Sequence, residues 1–310
     1  MPFAHQHLLG IEPLSRADIE RILDLATSMK EVLRRDIKKV PALRGKTVVN
    51  CFFESSTRTR SSFEIAAKIL SADAVNWAAS GSSMSKGESL VDTARNLEAM
   101  RPDVLVIRHA ASGAPHLVAS HVGCAVVNAG DGAHEHPSQA LLDAFTLREE
   151  WGSLEGRLVT IVGDVRHSRV ARSNLLCLRK LGARVRLCGP PTMMPPGIEA
   201  LGGEVVTDLR EAVDGADAVM MLRIQNERLA ESLFPSPREY ARVWGLSAAK
   251  TGWLKEGALI LHPGPINRGV ELEPEVADGP HSVILDQVEN GVAVRMAILL
   301  LLAGAAEAQA

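Results

Sequence analysis

The chain has 310 residues, 46% of them hydrophobic and 23% charged, with a formal net charge of −3 when its 10 histidines are counted as neutral. That length passes the roughly 250–300 residues at which a single core stops growing, so two domains are expected, each with ample apolar mass. So small a net charge argues against a general nucleic-acid binder while permitting a local cationic cleft, and the composition is that of an ordinary soluble globular protein.

In chain order, Ser15 and Asp18 in S-R-A-D form a capping box, and Ile19, Ile22, Leu23, Ala26, Met29 and Leu33 make one stripe of the helix that follows. Short β-branched runs then alternate with amphipathic segments. Strands are expected over 47–53, 74–78, 103–108 and 125–129, with helices over 57–71, 88–100, 113–121 and 136–150. This rhythm of βαβ units predicts a parallel sheet. It repeats after a Gly-containing turn at 151–156, with strands near 157–163, 184–188, 204–207, 218–222 and 258–262 and helices near 168–181, 209–215 and 247–254. The expected fold class is therefore α/β, with two domains, 1–151 and 152–284, each a parallel-sheet, doubly wound unit. A closing helical pattern over 285–306 is available to pack back on the first domain.

The four cysteines, Cys51, Cys124, Cys177 and Cys188, are scattered in apolar surroundings without a C-x-x-C pair, which predicts buried free thiols. The opening MPFAHQHLLG lacks a basic leader and a long apolar run, so no signal peptide is expected. The longest uncharged apolar run, 296–306, falls short of the ~20 residues that span a bilayer, so no membrane association is expected and the protein is placed in the cytoplasm.

The chemistry concentrates where strands end. ESSTRTRSSFE at 54–64 joins a strand to a helix, and Ser55, Ser56, Thr57, Arg58 and Thr59 bring hydroxyls, helix-start N–H groups and a guanidinium toward one anion, with phosphate the best fit. The plainer alternative is an N-cap beside exposed arginines. The turn is no Walker loop, and VGDVRHSR at 162–169 lacks G-x-G-x-x-G, so nucleotide binding is unsupported. GSSMSKGES at 81–89 holds Lys86 and by itself reads as a solvated loop. Arg108 stands just past a strand, and His136 and Gln139 start a helix on one face. His134 with His136 is a conceivable metal pair, but their spacing is poor and no further ligands complete it, so no metal is assigned. In the second half Arg169, Arg223 and Gln225 follow strands, and LHPGPINRG at 261–269 is a rigid loop. Arginines after several separate strands predict a cationic interdomain cleft suited to a small polyanion, because a buried multiple charge needs counter-charges.

Taken together and in this order, STRTR, KGES, HPSQ, RIQNER and HPGPINRG resemble the catalytic chains of the aspartate carbamoyltransferase family, over essentially the whole sequence. STRTR and HPxQ are shared with the sister ornithine carbamoyltransferases and indicate carbamoyl phosphate. The ornithine enzymes' Asp-x-x-x-Ser-Met-Gly and His-Cys-Leu-Pro segments are replaced here by RIQNER and HPGP, and guanidinium groups suit the two carboxylates of L-aspartate. The resemblance implies that Ser56, Thr57, Arg58 and Thr59 hold the phosphate, that Arg108 reaches a phosphate oxygen and the carbamoyl oxygen, and that His136 donates to that oxygen. It further implies that Gln139 and the backbone of Gly264 and Pro265 orient the carbamoyl NH2, that Arg169, Arg223 and Gln225 take the aspartate carboxylates, and that Ser82 and Lys86 come from a neighbouring subunit. A homotrimer follows from the last point, with a larger assembly with a regulatory chain or a dihydroorotase left open. Neither cofactor nor metal is implied. One departure is that many relatives have Leu-Pro where Gly264-Pro265 stands here, which touches a side-chain contact and leaves the backbone contacts intact. An ornithine or other amino-acid acceptor and a catalytically silent assembly homologue are the alternatives.

Overall fold

The computed structural model describes residues 3–78, 87–224 and 236–305. The chain forms two compact units, Met1–Phe145 with Glu289–Ala310, and Thr146–Val288. The sequence marks a division at the turn after 151, whereas the units divide inside two long helices.

The first unit holds four parallel strands, β1 (Thr47–Phe52), β2 (Asp73–Ala78), β3 (Val104–His109) and β4 (Ala125–Asp131), in the order β2-β1-β3-β4. Its strands read as near-continuous apolar runs because helices cover both faces of a parallel sheet. Those helices are α1 (Arg16–Leu33), α2 (Thr57–Ile69), α3 (Leu90–Glu98), α4 (Ala114–Ala119) and α5 (Pro137–Trp151). The capping box at the start of α1 is formed: Ser15 Oγ accepts from Asp18 N–H at 3.1 Å, and Asp18 Oδ2 accepts from Ser15 N–H at 2.9 Å. Ile19, Ile22, Leu23 and Ala26 are buried from the stripe behind it. Between β1 and β3 the order of strand addition reverses, and that switch point is where an open α/β sheet leaves a crevice at its carboxyl edge.

The second unit contains β5 (Leu158–Val162), β6 (Arg184–Cys188), β7 (Glu204–Val205), β8 (Ala218–Met221) and β9 (Leu259–Leu261), all parallel in the order β7-β6-β5-β8-β9, with the switch point between β5 and β8. Around them lie α6 (Arg169–Lys180), α7 (Leu209–Val213), α8 (Pro237–Val243) and α9 (Pro274–Ala277). Two of these are absent from the sequence reading. The first is α8, which begins with S-P-R-E, where Ser236 Oγ accepts from Glu239 N–H at 3.1 Å; α9 is a single turn opened by Pro274. The helix expected over 247–254 is a 3-10 turn, Ala248–Trp253.

Helix α10 (Ile284–Ala305) closes the described chain. The uncharged run read from the sequence is only part of it: over Ile284–Gly304 the helix is long and apolar enough, by length and composition, to cross a membrane. Its Val294, Ala297, Ile298, Leu299 and Leu302 are buried, which is the pattern of a core helix apolar on all sides. The free cysteines Cys51, Cys177 and Cys188 are buried and Cys124 half-buried, and burial pushes the thiols of Cys51, Cys124 and Cys188 up to about 12.

Candidate functional site

The chain leaves β1 into the turn that opens α2. Ser56 occupies the N-cap position with extended backbone (φ −160°, ψ 100°), yet its hydroxyl makes no cap hydrogen bond. A purely structural cap would place that oxygen on an N–H of the first turn. The helix instead presents first-turn N–H groups that have no acceptor within the helix, at the positive end of its dipole, among Thr57, Arg58 and Thr59. Thr59 is buried and its carbonyl accepts from Ser62 Oγ at 3.0 Å, while Thr57 and Arg58 are exposed.

Arg108 lies across the switch point, opposite Phe52 in the β1–β3 register. Its Nη1 donates to the carbonyl of Ala129 at 3.2 Å, and its Nε lies 3.6 Å from Glu54 Oε2, so one guanidinium joins the carboxyl ends of β1, β3 and β4. The loop after β4 is built on the buried carboxylate of Asp131. Oδ1 accepts from Asn128 Nδ2 at 2.8 Å and from Glu135 N–H at 3.1 Å, while Oδ2 accepts from Gly113 N–H at 2.6 Å. This loop delivers His136, buried, to the mouth of α5, where its carbonyl accepts from Gln139 N–H at 2.9 Å. Gln139 Nε2 in turn donates to Asp143 Oδ1 at 2.9 Å.

His134 does not pair with His136. It turns to Asp131 (Nδ1 to Oδ2 3.1 Å) and stacks edge-on against His116, with ring centroids 5.5 Å apart. Among the described residues, His116, Asp131 and His134 form the one group whose ligand atoms all lie within 4.8 Å of one another. Both oxygens of Asp131 are already engaged with Asn128, Glu135, Gly113 and His134, so its evident work is holding the loop.

In the second unit β5 is followed directly by Gly163, whose φ is 132°. A Cβ there would lie 2.9 Å from Leu222 Cβ and 3.2 Å from the Tyr240 hydroxyl, so the close approach beside the switch point requires glycine. Asp164, buried, accepts from His167 N–H at 3.1 Å and meets His167 Nδ1 at 3.0 Å, which tightens the turn into Ser168. Ser168 Oγ caps α6 by accepting from Ala171 N–H at 3.1 Å. Arg169 is thereby the first residue of α6, only 4% exposed, and Arg223 stands half-buried just past β8. The two arginines follow adjacent strands on either side of the switch point.

The loop carrying Gly264 and Pro265 is anchored by Glu271, fully buried. Glu271 Oε1 accepts from Asn267 N–H at 2.6 Å and meets His262 Nε2 at 3.2 Å, while His262 Nδ1 accepts from Gly264 N–H at 2.7 Å. That places the imidazole proton on Nε2, facing the carboxylate. Asn267 Nδ2 also donates to the carbonyl of Ile224 at 3.0 Å, tying the loop to the backbone that follows Arg223.

The structure thus brings Ser56, Thr57, Arg58, Thr59, Arg108, His136 and Gln139 to the carboxyl edge of the first sheet, and Arg169, Arg223, Gly264 and Pro265 to that of the second. Ser82, Lys86 and Gln225 lie outside the described residues. Sequence reasoning missed Glu54, Asp131, Asp143, Asp164 and Glu271. Each is an acid close in sequence to a site residue, which is the one signal the chain offered for them.

Two family models match the chain. One, described as aspartate/ornithine carbamoyltransferase, carbamoyl-P binding domain, covers residues 6–149; the other, the Asp/Orn binding domain of the same enzymes, covers residues 155–302. The aspartate carbamoyltransferase catalytic subunit of Anaeromyxobacter sp. (strain K) is 73% identical over 307 residues, covering 99% of this chain and 98% of the relative. Among solved structures, the chain is similar to aspartate transcarbamoylase from Trypanosoma cruzi in complex with carbamoyl phosphate, with a TM-score of 0.86 and 31% identity over 97% of this chain and 98% of that one. Ornithine carbamoyltransferase from Thermus thermophilus is similar to nearly the same degree, with a TM-score of 0.85 and 28% identity over 96% and 99%. Backbone similarity alone therefore does not separate the two acceptors.

Proposed function

The chain belongs to the aspartate/ornithine carbamoyltransferase family, and from that premise we infer that it is an enzyme transferring the carbamoyl group of carbamoyl phosphate to the α-amine of L-aspartate. The products are N-carbamoyl-L-aspartate and phosphate, a step of pyrimidine synthesis. The observation that supports the acceptor most directly is the pair Arg169 and Arg223 after β5 and β8. Two guanidinium groups suit a dicarboxylate, whereas the side-chain ammonium of ornithine would meet like charge.

In this reading Ser56, Thr57, Arg58 and Thr59 hold the phosphate with the N–H groups of the α2 mouth, and Arg108 bridges a phosphate oxygen and the carbamoyl oxygen. His136 donates to the same carbonyl oxygen, and Gln139 with the backbone of Gly264 and Pro265 orients the NH2. Arg169, Arg223 and Gln225 take the aspartate carboxylates. The neutral amine attacks the carbamoyl carbon, a tetrahedral intermediate forms, and its C–O bond to phosphate breaks; the departing phosphate accepts the amine proton. The rate comes from holding two anions in register and from donors aimed at the developing oxyanion, each worth about 3 kcal/mol in comparable sites. An acyl phosphate is already activated toward an amine, so the chemistry calls for no cofactor.

Ser82 and Lys86 are assigned to a neighbouring subunit's site, which makes the working unit a homotrimer. Side-by-side assays with aspartate and ornithine as acceptors test the proposal. Transfer to aspartate alone is expected; transfer to ornithine, or to neither, would overturn it.

A further inference from the structure

Gln139 is assigned above to the carbamoyl end of the donor substrate, but a glutamine amide has a donor end and an acceptor end of nearly equal size, and only one orientation accepts from an NH2 group. We propose that Asp143, supported by Arg295, is a positioning residue that locks the Gln139 amide with its carbonyl oxygen toward the substrate, so that the site selects a carbamoyl group over an isosteric acetyl group.

Three observations carry this. Gln139 Nε2 donates to Asp143 Oδ1 at 2.9 Å across one turn of α5, and Asp143 is fully buried. An ionised carboxylate can only accept, so the NH2 end of Gln139 must face it; the flipped amide would set two acceptor oxygens against each other at a carboxylate shut off from bulk solvent. Second, ionisation of a buried carboxylate needs a cation, since a protonated Asp143 could donate to Gln139 Oε1 and reverse the amide. Arg295, on α10 and 4% exposed, is a cation within electrostatic reach of it. Burial draws its guanidinium down to about 10, the Asp143 carboxylate pulls it up and Arg58 pushes it down, which leaves it charged at neutral pH and electrostatically coupled to both residues.

Third, Arg295 is built in. Its Nη1 donates to the carbonyl of Gly291 at 3.0 Å, and its guanidinium carbon lies 5.2 Å from the ring centroid of Phe63 on α2. A Cβ on residue 291 would fall 2.5 Å from Arg295 Nη1, so Gly291 makes the room for the buried head group. The order of control runs from Arg295 to the charge of Asp143, from that charge to the Gln139 amide, and from the amide to the substrate NH2.

The proposal rests on the carbamoyl transfer inferred above, and its test keeps the two apart. Wild type, Asp143→Asn, Arg295→Lys, the charge-neutral double variant Asp143→Asn with Arg295→Met, and Gln139→Leu are compared for kcat/KM with carbamoyl phosphate and with acetyl phosphate, aspartate being the acceptor. Melting temperature and calorimetric binding of inorganic phosphate are measured alongside. The carbamoyl-over-acetyl preference is expected to fall about tenfold in Asp143→Asn and in the double variant, approaching Gln139→Leu, as loss of one buried hydrogen bond implies. Phosphate binding should change less than about twofold, and Arg295→Lys, which keeps a cation, should keep most of the preference. Should Asp143→Asn fail to fold, the double variant, which removes the charge together with its counter-charge, carries the measurement. A preference that stays at the wild-type value, whether or not both donors slow together, overturns the positioning role and leaves the transfer reading standing. A wild-type enzyme that transfers no carbamoyl group overturns the transfer reading itself.

Discussion

At their amino edges the two sheets are closed by the same device. In the first unit Asp103, just before β3, accepts from the N–H of Thr47 on β1 at 2.8 Å and pairs with Lys46 at 3.3 Å. In the second, Asp217, just before β8, accepts from the N–H of Leu158 on β5 at 2.8 Å and pairs with Arg157 at 3.1 Å and Lys255 at 2.6 Å. The two pairs of strands are equivalent, since each flanks the switch point of its sheet. At the carboxyl edges the resemblance stops. The first unit offers a helix mouth dense in hydroxyl and N–H donors; the second holds two arginines in place with loops knitted by the buried carboxylates of Asp164 and Glu271. Architecture repeats where it only has to hold strands together, and diverges where the proposed ligands differ: a compact phosphate suits convergent short donors, while a dicarboxylate suits separated guanidinium forks.

That contrast can be broken by mutation. The largest effect is expected for Arg58→Ala, a fall in kcat/KM of about a thousandfold, in line with removal of a donor to transition-state charge; a loss below tenfold would remove the first unit's role. Inactive Lys86→Ala chains mixed with inactive His136→Ala chains should regain measurable activity through hybrid trimers, and confirmed hybrids without activity would contradict a shared site. Arg223→Ala should raise the aspartate KM about 10- to 100-fold, the worth of a charged hydrogen bond, with little change in the carbamoyl phosphate KM. Glu271→Gln should cost roughly 3 kcal/mol in urea unfolding, because it leaves a buried hydrogen-bonded network short of its charge, and unchanged stability would show that the carboxylate is not what holds the loop.

The smallest effect belongs to the amino edge. Burial pushes the Asp217 carboxyl up, but hydrogen bonds from Leu158 N–H, Lys255 and Arg157 outweigh it and hold the group below the usual carboxylate range. A carboxyl depressed in the folded state stabilises it at pH above the ordinary value, and that contribution fades as pH falls through the folded value. Asp217→Asn should therefore cost at most about 1 kcal/mol at pH 7, since its cationic partners are part-exposed, and the difference from wild type should begin to shrink near about pH 4 and vanish only once the pH has fallen below the depressed folded value. Activity should be untouched, as the residue lies at the edge away from the site.

Much of the first unit was legible in the sequence because its signals are local. An apolar β-branched run, then hydroxyls and arginines, then a helical stripe, specifies strand, turn and helix without any tertiary information. What the sequence left open was whether the Ser56 hydroxyl capped the helix, and the structure shows that it makes no cap hydrogen bond. The second unit was less legible. Helices α8 and α9 are too short for a periodic stripe, although S-P-R-E carried a capping signal, and β7 keeps only Glu204–Val205 of the strand expected over 204–207, as suits an edge strand paired on one side. The carboxylates were hidden for a different reason. Asp143 and Glu271 matter through partners brought to them by folding, so beyond their nearness in sequence to a site residue nothing marks them apart from surface acids.

The division of labour between the two units is tested most directly by calorimetric titration of carbamoyl phosphate, without aspartate, into wild type, Arg58→Ala and Arg223→Ala. The account predicts that binding is lost in Arg58→Ala and keeps its wild-type affinity in Arg223→Ala. Undiminished binding in Arg58→Ala, or binding lost only in Arg223→Ala, would contradict it.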